Sequence, residues 1–553
     1  MESSELDSNN QITVKAGETK SFTITLKNIN NRSVKMNFYY QWISSNSGNV
    51  EIGYVSDTPD VPPTEAGYVL GVNDSIVIIV AIKNKGTSSV ILKFGSEVGL
   101  EKPTLEFPNN SYVLSNAIKL ETPPNAPDLA DGLIPVVYDG TNWVSADTSS
   151  DWYAYGEQRW ANAVTTTATN RAKYQIPGTV IPISDINTMW VWIPRYEYKF
   201  SNMGTGYAGG TAAQPGAIGI NFIAKDVTAP SDSSNYAVHP AFTFGNQELS
   251  GIWIGKFETG NQTACTATHN VANSACDLTT LGIQIKPNVS SWRGARVSTM
   301  FTVSREMSNA GNVYGLNNVT TDSHMMKNTE WSAVAYLSQS VYGKYANTAY
   351  SGANKEVYIN NYWNNNETLT GCSAGAPSTA QATTCAYTYE KSNTGTGAST
   401  TGNIYGVYDM SGGAYEYVMG NMKANGNTQQ QSGSKNTNNY NSGFTGINFD
   451  GTSVSGRAYP AAKYYDTYNY GTSNSDHSTR YIPGDATYEV SQGDGQNYGW
   501  YSDYAIFVDA SNPWFLRGGS YGNTTYAGMF SFTNTNGNAY NIYSFRLVLA
   551  PVA

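Results

Sequence analysis

From Gln11 onward the chain alternates apolar and polar positions in short runs. Ile12 and Val14 come first, then Phe22, Ile24 and Leu26, then Met36, Phe38, Tyr40 and Trp42. "SIVIIVAIKN" and "SVILKFGSE" follow, with Gly, Asn and Asp between the runs. A period of two is that of a strand with one covered face, and several such strands at short spacing predict a β-sandwich of immunoglobulin type over residues 1–115. That stretch contains no cysteine, so the sandwich lacks an inter-sheet disulfide. Residues 116–130, which hold most of "LETPPNAPDLADG", then read as a stiff, extended linker, because the prolines cannot continue a strand or a helix.

From residue 131 to the end no comparable break occurs, which predicts one large domain. Two segments in it resemble one another, "MWVWIPRYEYKF" from Met189 and "GIWIGKFETG" from Gly251, each an apolar strand turning into a basic residue, an aromatic and Glu. They do not recur at a fixed period, which excludes a solenoid. Helical spacing is found twice. Met300, Phe301, Ser304 and Met307 share a face in "VSTMFTVSREMSNAG", as do Trp331, Val334, Ala335 and Leu337 in "KNTEWSAVAYLSQSVYG", with Asn328 or Thr329 as N-cap. Two helices among many short strands predict an α+β domain. Regions 345–400 and 420–500, rich in Asn, Ser, Thr, Gly and Tyr, are expected to be long surface loops.

Composition narrows the function classes. Only 13% of residues are charged and the formal net charge is −10, so no basic field exists to attract nucleic acid or anionic lipid. No apolar run approaches the roughly 18 residues of a membrane helix, and "MESSELDSNN" has no signal-peptide pattern. Attachment to a membrane or pilus is therefore expected only through a segment absent from this chain. The four cysteines form two close pairs, Cys265 with Cys276 and Cys372 with Cys385, each enclosing a polar loop. Two local disulfides are expected, and with them an oxidising, extracellular compartment. His239, His269, His324 and His477 are scattered, which argues against a metal centre.

Four segments, in order, resemble the formylglycine-generating (sulfatase-modifying) family, whose fold is a C-type-lectin variant. They are "IWIGKFETG", "KNTEWSAVAYL", "GNIYGVYDMSGGAYEYVMGN" and the closing "LRGGSY" with "SFRLVL". The third is similar to the family's Gly-Leu-Tyr-Asp-Met-Ser-Gly-Asn-Val-Trp-Glu-Trp motif, with Tyr415 and Tyr417 where tryptophans usually stand. The resemblance implies a C-type-lectin-like domain over residues 131–553. It does not carry the family's activity. The enzymes bind copper through cysteines after the Arg-Gly-Gly-Ser motif, and Ser520–Phe545 contains none. No Ser, Thr or Asn replaces a thiolate as a soft copper(I) ligand.

The same fold is used by variable proteins of diversity-generating retroelements, in which template adenines are mutated and copied into the C-terminal end of a lectin-like domain. Mutated Asn codons reach Asn, Tyr, Ser, Thr, Asp, Gly, Phe and Ile but not Lys, Glu, Gln, Met or Trp. Ser520–Tyr543 obeys that exclusion except at Met529. The resemblance thus implies a ligand-binding face of Ser520, Tyr521, Asn523, Thr524, Thr525, Ser531, Thr533, Asn534, Thr535, Asn536, Asn538, Tyr540, Asn541 and Tyr543, expected to be largely exposed and contiguous. "PVVYDGTNWVSADTSSDWYAYGEQRWANAV" and "IPRYEYKF" also resemble surface proteins of gut Gram-positive bacteria, some with pilin-like N-termini.

The remaining chemistry-bearing residues read as structural. Asp409 and Glu416 are a candidate carboxylate pair or calcium site, but buried carboxylates require fixed partners and are expected here to tie a turn to the core. His324 has no metal-ligand companion, and Ser411 lacks nucleophile-elbow spacing. Arg517 and Arg546 are expected to pin the strands that flank the terminal segment. The reading is a surface-displayed adhesin or receptor-binding protein, without cofactor or catalytic residues, whose partner is a protein or glycan on a cell or phage surface. A bacterial cell surface is the expected location, with a phage particle as the alternative. Two other readings stay open: an oxygen-dependent enzyme of the parent family, and a structural pilus or fibre subunit.

Overall fold

A computed structural model describes residues 6–27, 34–42, 50–56, 68–70, 75–99, 111–113, 124–148, 152–200, 215–261, 276–280, 282–423, 442–445, 457–458, 460–475 and 477–552. The chain divides into two compact units, Met1–Thr122 and Pro123–Ala553.

In the first unit every alternating run forms a strand. Gln11–Val14, Val90–Gly99, Val34–Trp42 and Tyr68–Leu70 make one antiparallel sheet, with Ser111–Val113 also on Val34–Trp42. Thr19–Lys27, Ser75–Asn84 and Val50–Ser56 make the other. Ile12, Val14, Val90, Leu92 and Phe94 from the first share one core with Phe22, Ile24, Ile78, Val80 and Ile82 from the second, so the two sheets face each other. Phe22 and Phe94 meet edge to face at 5.6 Å across that core.

The second unit is rich in sheet with few helices. Its larger sheet is antiparallel throughout, in the order Trp143–Ser145, Ile134–Tyr138, Asn162–Thr166, Ile186–Pro194, Gly251–Gly255, Leu547–Pro551, Thr321–Met325. The two similar segments are neighbours in it, with Trp192 opposite Trp253. The C-terminal strand lies inside the sheet, between Gly251–Gly255 and Thr321–Met325. Alternation in "SFRLVLAP" predicts one buried face. In fact Ser544 to Ala550 are all buried, Arg546 and Val548 as fully as Phe545 and Leu547. An interior strand covered on both sides has no solvent face, so its polar members must find partners inside.

A second sheet carries Asp466–Tyr468, Tyr415–Met422, Trp514–Arg517 and Phe532–Thr535, with Tyr543–Phe545 parallel to Tyr415–Tyr417. Helix α1, Val297–Glu306, lies against Thr321–Met325, where Arg305 reaches Asp322 Oδ1 (2.5 Å) and Ser323 O (2.6 Å). Helix α2, Asn328–Ser338, is buried on every side, not along one stripe. Its N-cap is Lys327, one residue before the expected Asn328 or Thr329. An ammonium accepts no hydrogen bond, so two carboxylates make the cap: Glu330 Oε2 of the helix's own first turn takes the Lys327 N–H (2.7 Å), and Asp466 Oδ2 from outside takes the Thr329 N–H (2.7 Å). Asn328 is committed elsewhere, donating to Tyr468 Oη (2.6 Å) and accepting from Arg517 Nε (2.7 Å).

Two expectations are corrected. The linker assignment 116–130 extends too far: Ala130 is buried in the second unit, and Trp253 Nε1 donates to Asp128 O at 2.7 Å. Residues 116–123 lie outside the described residues. Regions 345–400 and 420–500 are irregular, yet Tyr350, Val357, Ile359, Tyr389, Tyr464, Tyr468 and Val490 are buried core residues. Their backbone is satisfied by buried side chains in place of ladders; Lys344 Nζ donates to Glu356 O (2.5 Å) and to Gly397 O. Residues 424–441, 446–456, 459 and 476 lie outside the described residues.

Two measurements check this core. Phe545 is fully buried and meets the Trp292 ring at 5.7 Å, so Phe545→Ala is expected to lower unfolding free energy by about 3–5 kcal/mol in chemical denaturation. Glu489 is buried and accepts from Tyr336 Oη (2.6 Å) and Gly484 N (2.8 Å). Burial first, with the charge of Asp485 adding, raises its carboxyl to about 8. The folded state therefore holds a proton that the unfolded chain releases near its ordinary value. Stability should fall as pH rises between about pH 5 and about pH 8, and the slope should be shallower in Glu489→Gln.

Candidate ligand-binding face

After Trp514–Arg517 the chain leaves the second sheet twice before it rejoins the first. The first excursion, 518–531, begins at Gly518 and Gly519, both left-handed. At Gly519 (φ +68°) a Cβ would lie 2.6 Å from Ala527 Cα, so the turn admits no side chain. The second excursion, 536–542, leads from Phe532–Thr535 into Tyr543–Phe545. Both rest on the segment that precedes Tyr415. Gly412 N–H donates to Gly518 O (3.0 Å), Tyr521 N–H to Gly413 O (2.9 Å) and Tyr415 N–H to Ile542 O (2.9 Å).

Beneath this lies a cluster of buried charge. Arg546 forks onto Glu416, with Nε to Oε2 at 2.9 Å and Nη2 to Oε1 at 2.5 Å, and donates to Gly255 O (2.7 Å) and Tyr408 O (2.9 Å). Asp409, left-handed at φ +60°, accepts from Asn360 Nδ2 (2.9 Å), Gly371 N (3.0 Å) and Glu258 N (3.4 Å). Glu258 accepts from Ala414 N (2.8 Å) and bonds Ser291 Oγ. Burial, then repulsion from Glu416 and Asp409, pushes Glu258 well above the ordinary carboxyl range. All four carboxylate oxygens of Asp409 and Glu416 thus accept hydrogen bonds from the chain, the arrangement of a structural tie. Among the described residues no group of three or more His, Cys, Asp or Glu could hold a metal ion.

Of the other residues singled out by sequence, Ser411 is buried and its Oγ has no hydrogen-bond partner among the described residues, whereas Arg517 and His324 have fixed partners. Arg517 donates to Ala486 O (2.9 Å) and Asp485 O (2.5 Å). His324 sits between Asp322 Oδ1 (3.1 Å) and Glu330 Oε1 (3.0 Å), stacked on Phe244. Burial opposes its charge, but the two carboxylates outweigh that and raise its pKa. Cys372 and Cys385 form a disulfide with Cα atoms 5.4 Å apart. Cys276 is buried, and Cys265, its expected partner, lies outside the described residues.

The expected exposure of the fourteen face residues is corrected. Thr525 alone is exposed; Ser520, Ser531 and Thr535 are buried and the other ten are half-buried. The two excursions lie on the scaffold, so their residues turn one side inward. Ser520, Asn523, Asn538, Tyr540 and Tyr543 gather around Tyr415 and Tyr417, whereas Tyr521 stacks on Trp363 and the Asn541 carbonyl meets Arg293. Tyr543 meets the rings of Tyr415, Tyr417 and Tyr540 at 6.0, 5.3 and 5.1 Å, and Tyr417 Oη donates to Asn538 O (2.7 Å). Asn534 turns elsewhere, donating to Phe507 O (2.7 Å) and Asp509 Oδ2 (3.2 Å).

The scaffold grips this segment chiefly through its main chain. Besides the bonds at Tyr521 and Ile542, Gly294 N–H donates to Tyr540 O (3.0 Å) and Arg293 Nη1 to Asn541 O (2.5 Å). The side chains of Tyr521, Tyr540 and Asn541 make no hydrogen bond among the described residues. Asn523 is an exception, its Oδ1 accepting from Ser520 N (2.7 Å) and Oγ (2.9 Å). Sequence reasoning missed Arg293 and Trp363, and it noted Tyr415 and Tyr417 only as departures from a motif. The signal for Trp363 was a tryptophan amid asparagines in "NNYWNNNET". Arg293 had none.

This division predicts opposite outcomes for two asparagines. Asn534→Ala strips the donor from buried Phe507 O and should cost about 1–3 kcal/mol, whereas Asn541→Ala should stay within about 0.5 kcal/mol, both read by urea denaturation.

No protein-family model and no curated protein matches the chain. Among solved structures it is similar to the Treponema denticola variable protein 1, at 13% identity and a TM-score of 0.24, over 67% of this chain and 98% of that one. That overlap is too small to fix a shared fold.

Proposed function

We propose that this is a ligand-binding protein of the bacterial cell surface, with a C-type-lectin-like second unit whose terminal face tolerates and receives sequence diversification. One observation carries the reading. The scaffold bonds main-chain groups of Tyr521, Asn538, Tyr540, Asn541 and Ile542, which any residue except proline supplies equally, while the side chains of Asn523, Phe530, Phe532 and Asn534 hold the rest of the segment. The restricted alphabet of Ser520–Tyr543 agrees with this, since Tyr gives rigid amphipathic area while Ser, Asn and Gly adapt their hydrogen bonds. Diversification belongs at Tyr521, Thr525, Asn538, Tyr540 and Asn541, not at Asn523 or Asn534, whose side chains hold the loops. The reading assigns no catalysis, because the segment offers no thiolate for copper and the carboxylates beneath it are fixed in hydrogen bonds.

The test is a display library randomised at those five positions and selected on immobilised lysozyme as an arbitrary protein target. Most members should melt within a few degrees of the parent, since surface substitutions usually change stability by about 0.5 kcal/mol or less, and binders should be enriched. A library that mostly unfolds overturns the reading. At the gene level, a neighbouring reverse transcriptase with a template repeat matching the codons of residues 518–546 is expected.

A further inference from the structure

Trp363 is half-buried and lies outside the terminal segment, yet it touches it. Its ring stacks on Tyr521 with centroids 4.3 Å apart and planes 8° from parallel. The Arg293 guanidinium lies 5.4 Å from the same ring. Arg293 is buried and joins two chain segments, donating to Asn366 O (2.6 Å) beside Trp363 and to Asn541 O (2.5 Å) in the terminal segment. The turn that presents Trp363 is tight: Asn364 and Glu367 exchange backbone hydrogen bonds (3.1 and 2.9 Å), and Asn365 and Asn366 are left-handed, a conformation Asn tolerates.

The other support of Trp363 is the disulfide loop. Trp363 N–H donates to Ala382 O (2.8 Å), Ala382 N–H to Asn361 O (2.9 Å) and Asn361 Nδ2 to Ala380 O (2.7 Å). Ala380 and Ala382 lie within the loop closed by Cys372–Cys385. Cross-linking the ends of a short loop restricts the conformations open to it, so the disulfide keeps the acceptor for Trp363 in place.

We infer that Trp363 is a binding residue of the same face, an aromatic anchor outside the diversified segment, positioned by the Cys372–Cys385 loop and suited to an uncharged patch on a folded protein. The inference rests on the ligand-binding reading above. A protein partner fits because the face sets Trp363 and Tyr543 among neutral amides and hydroxyls, the composition of binding loops in which rigid aromatics supply area and small polar groups adapt. A tryptophan at the centre of an interface is the residue type that most often dominates its energy. It would also give every member of a diversified set one contact in common.

The test uses several unrelated lysozyme-binding clones from the library above, each carrying W363A, W363F or the C372S/C385S pair. W363A should weaken binding about tenfold or more in most clones, W363F less, with melting temperatures little changed. Removal of the disulfide should weaken the same clones. Unaltered affinity in W363A overturns the anchor. The positioning step is decided independently by fluorine NMR of fluorotryptophan-labelled protein, with the Trp363 resonance assigned by its loss in W363F. That resonance should move in Y521A and in C372S/C385S, and a resonance unchanged in both overturns the inference even if the library yields no binder. A library that unfolds while the resonance moves as expected rejects the ligand-binding reading and the anchor role together, and leaves only the positioning of Trp363 by the disulfide loop.

Discussion

The second unit depends on the fork between Arg546 and Glu416. Arg546 is the single residue between Tyr543–Phe545, which belongs to one sheet, and Leu547–Pro551, which belongs to the other. Its guanidinium bonds Gly255 O in the larger sheet, Glu416 in the smaller and Tyr408 O in the segment joining them. A guanidinium is weakly hydrated, always charged and planar, so it can be buried if every edge finds an acceptor. Loss of either partner would leave an uncompensated charge in the core, a cost of about 3–5 kcal/mol. The two sheets, and the face suspended between them, share this one joint.

The same device recurs in several irregular segments of the second unit. Lys256 Nζ reaches Asn162 Oδ1 (2.8 Å), Ile404 O (2.6 Å) and Gly406 O (2.8 Å), and burial pushes its pKa well below the ordinary range. Arg480 donates to Val508 O at 3.0 Å. Long segments without ladders can be buried only if their carbonyls are met by donors. Here buried Lys and Arg side chains supply those donors, so the described residues of 345–500 build a core with few ladders.

The proposed binding role rests on how the terminal segment is held. Main-chain bonds hold the excursions after Gly518, while several side chains there remain uncommitted. The half-buried setting of these residues is consistent with both needs: a backbone close enough to be gripped, and side-chain ends still reachable. Binding surfaces that must vary gain from such a frame, because the contacts that fix the loop are not those that change. The aromatic cluster of Tyr415, Tyr417, Tyr540 and Tyr543 supplies rigidity without directional demands.

Local pattern settled a good part of the architecture in advance. Periods of two set the strands of the first unit and the neighbouring "MWVWIP" and "GIWIG" strands, and helical spacing set α1 and α2, because each periodicity reflects a repeating backbone geometry. The cysteine spacing pointed to Cys372–Cys385, and the alphabet of Ser520–Tyr543 pointed to the terminal face. What sequence could not show was which polar residues turn inward. Lys327 as cap, Asn534 as a buried donor, Arg293 as a bridge and Trp363 as the partner of Tyr521 each depend on a contact between residues far apart in the chain. Such contacts leave no period and no local motif, since they are selected by complementary positions that exist only once the sheets have closed. By itself the sequence determined the strands, the helices, one disulfide and the restricted letters of the terminal segment; tertiary structure alone decided which of those letters hold the fold and which face outward.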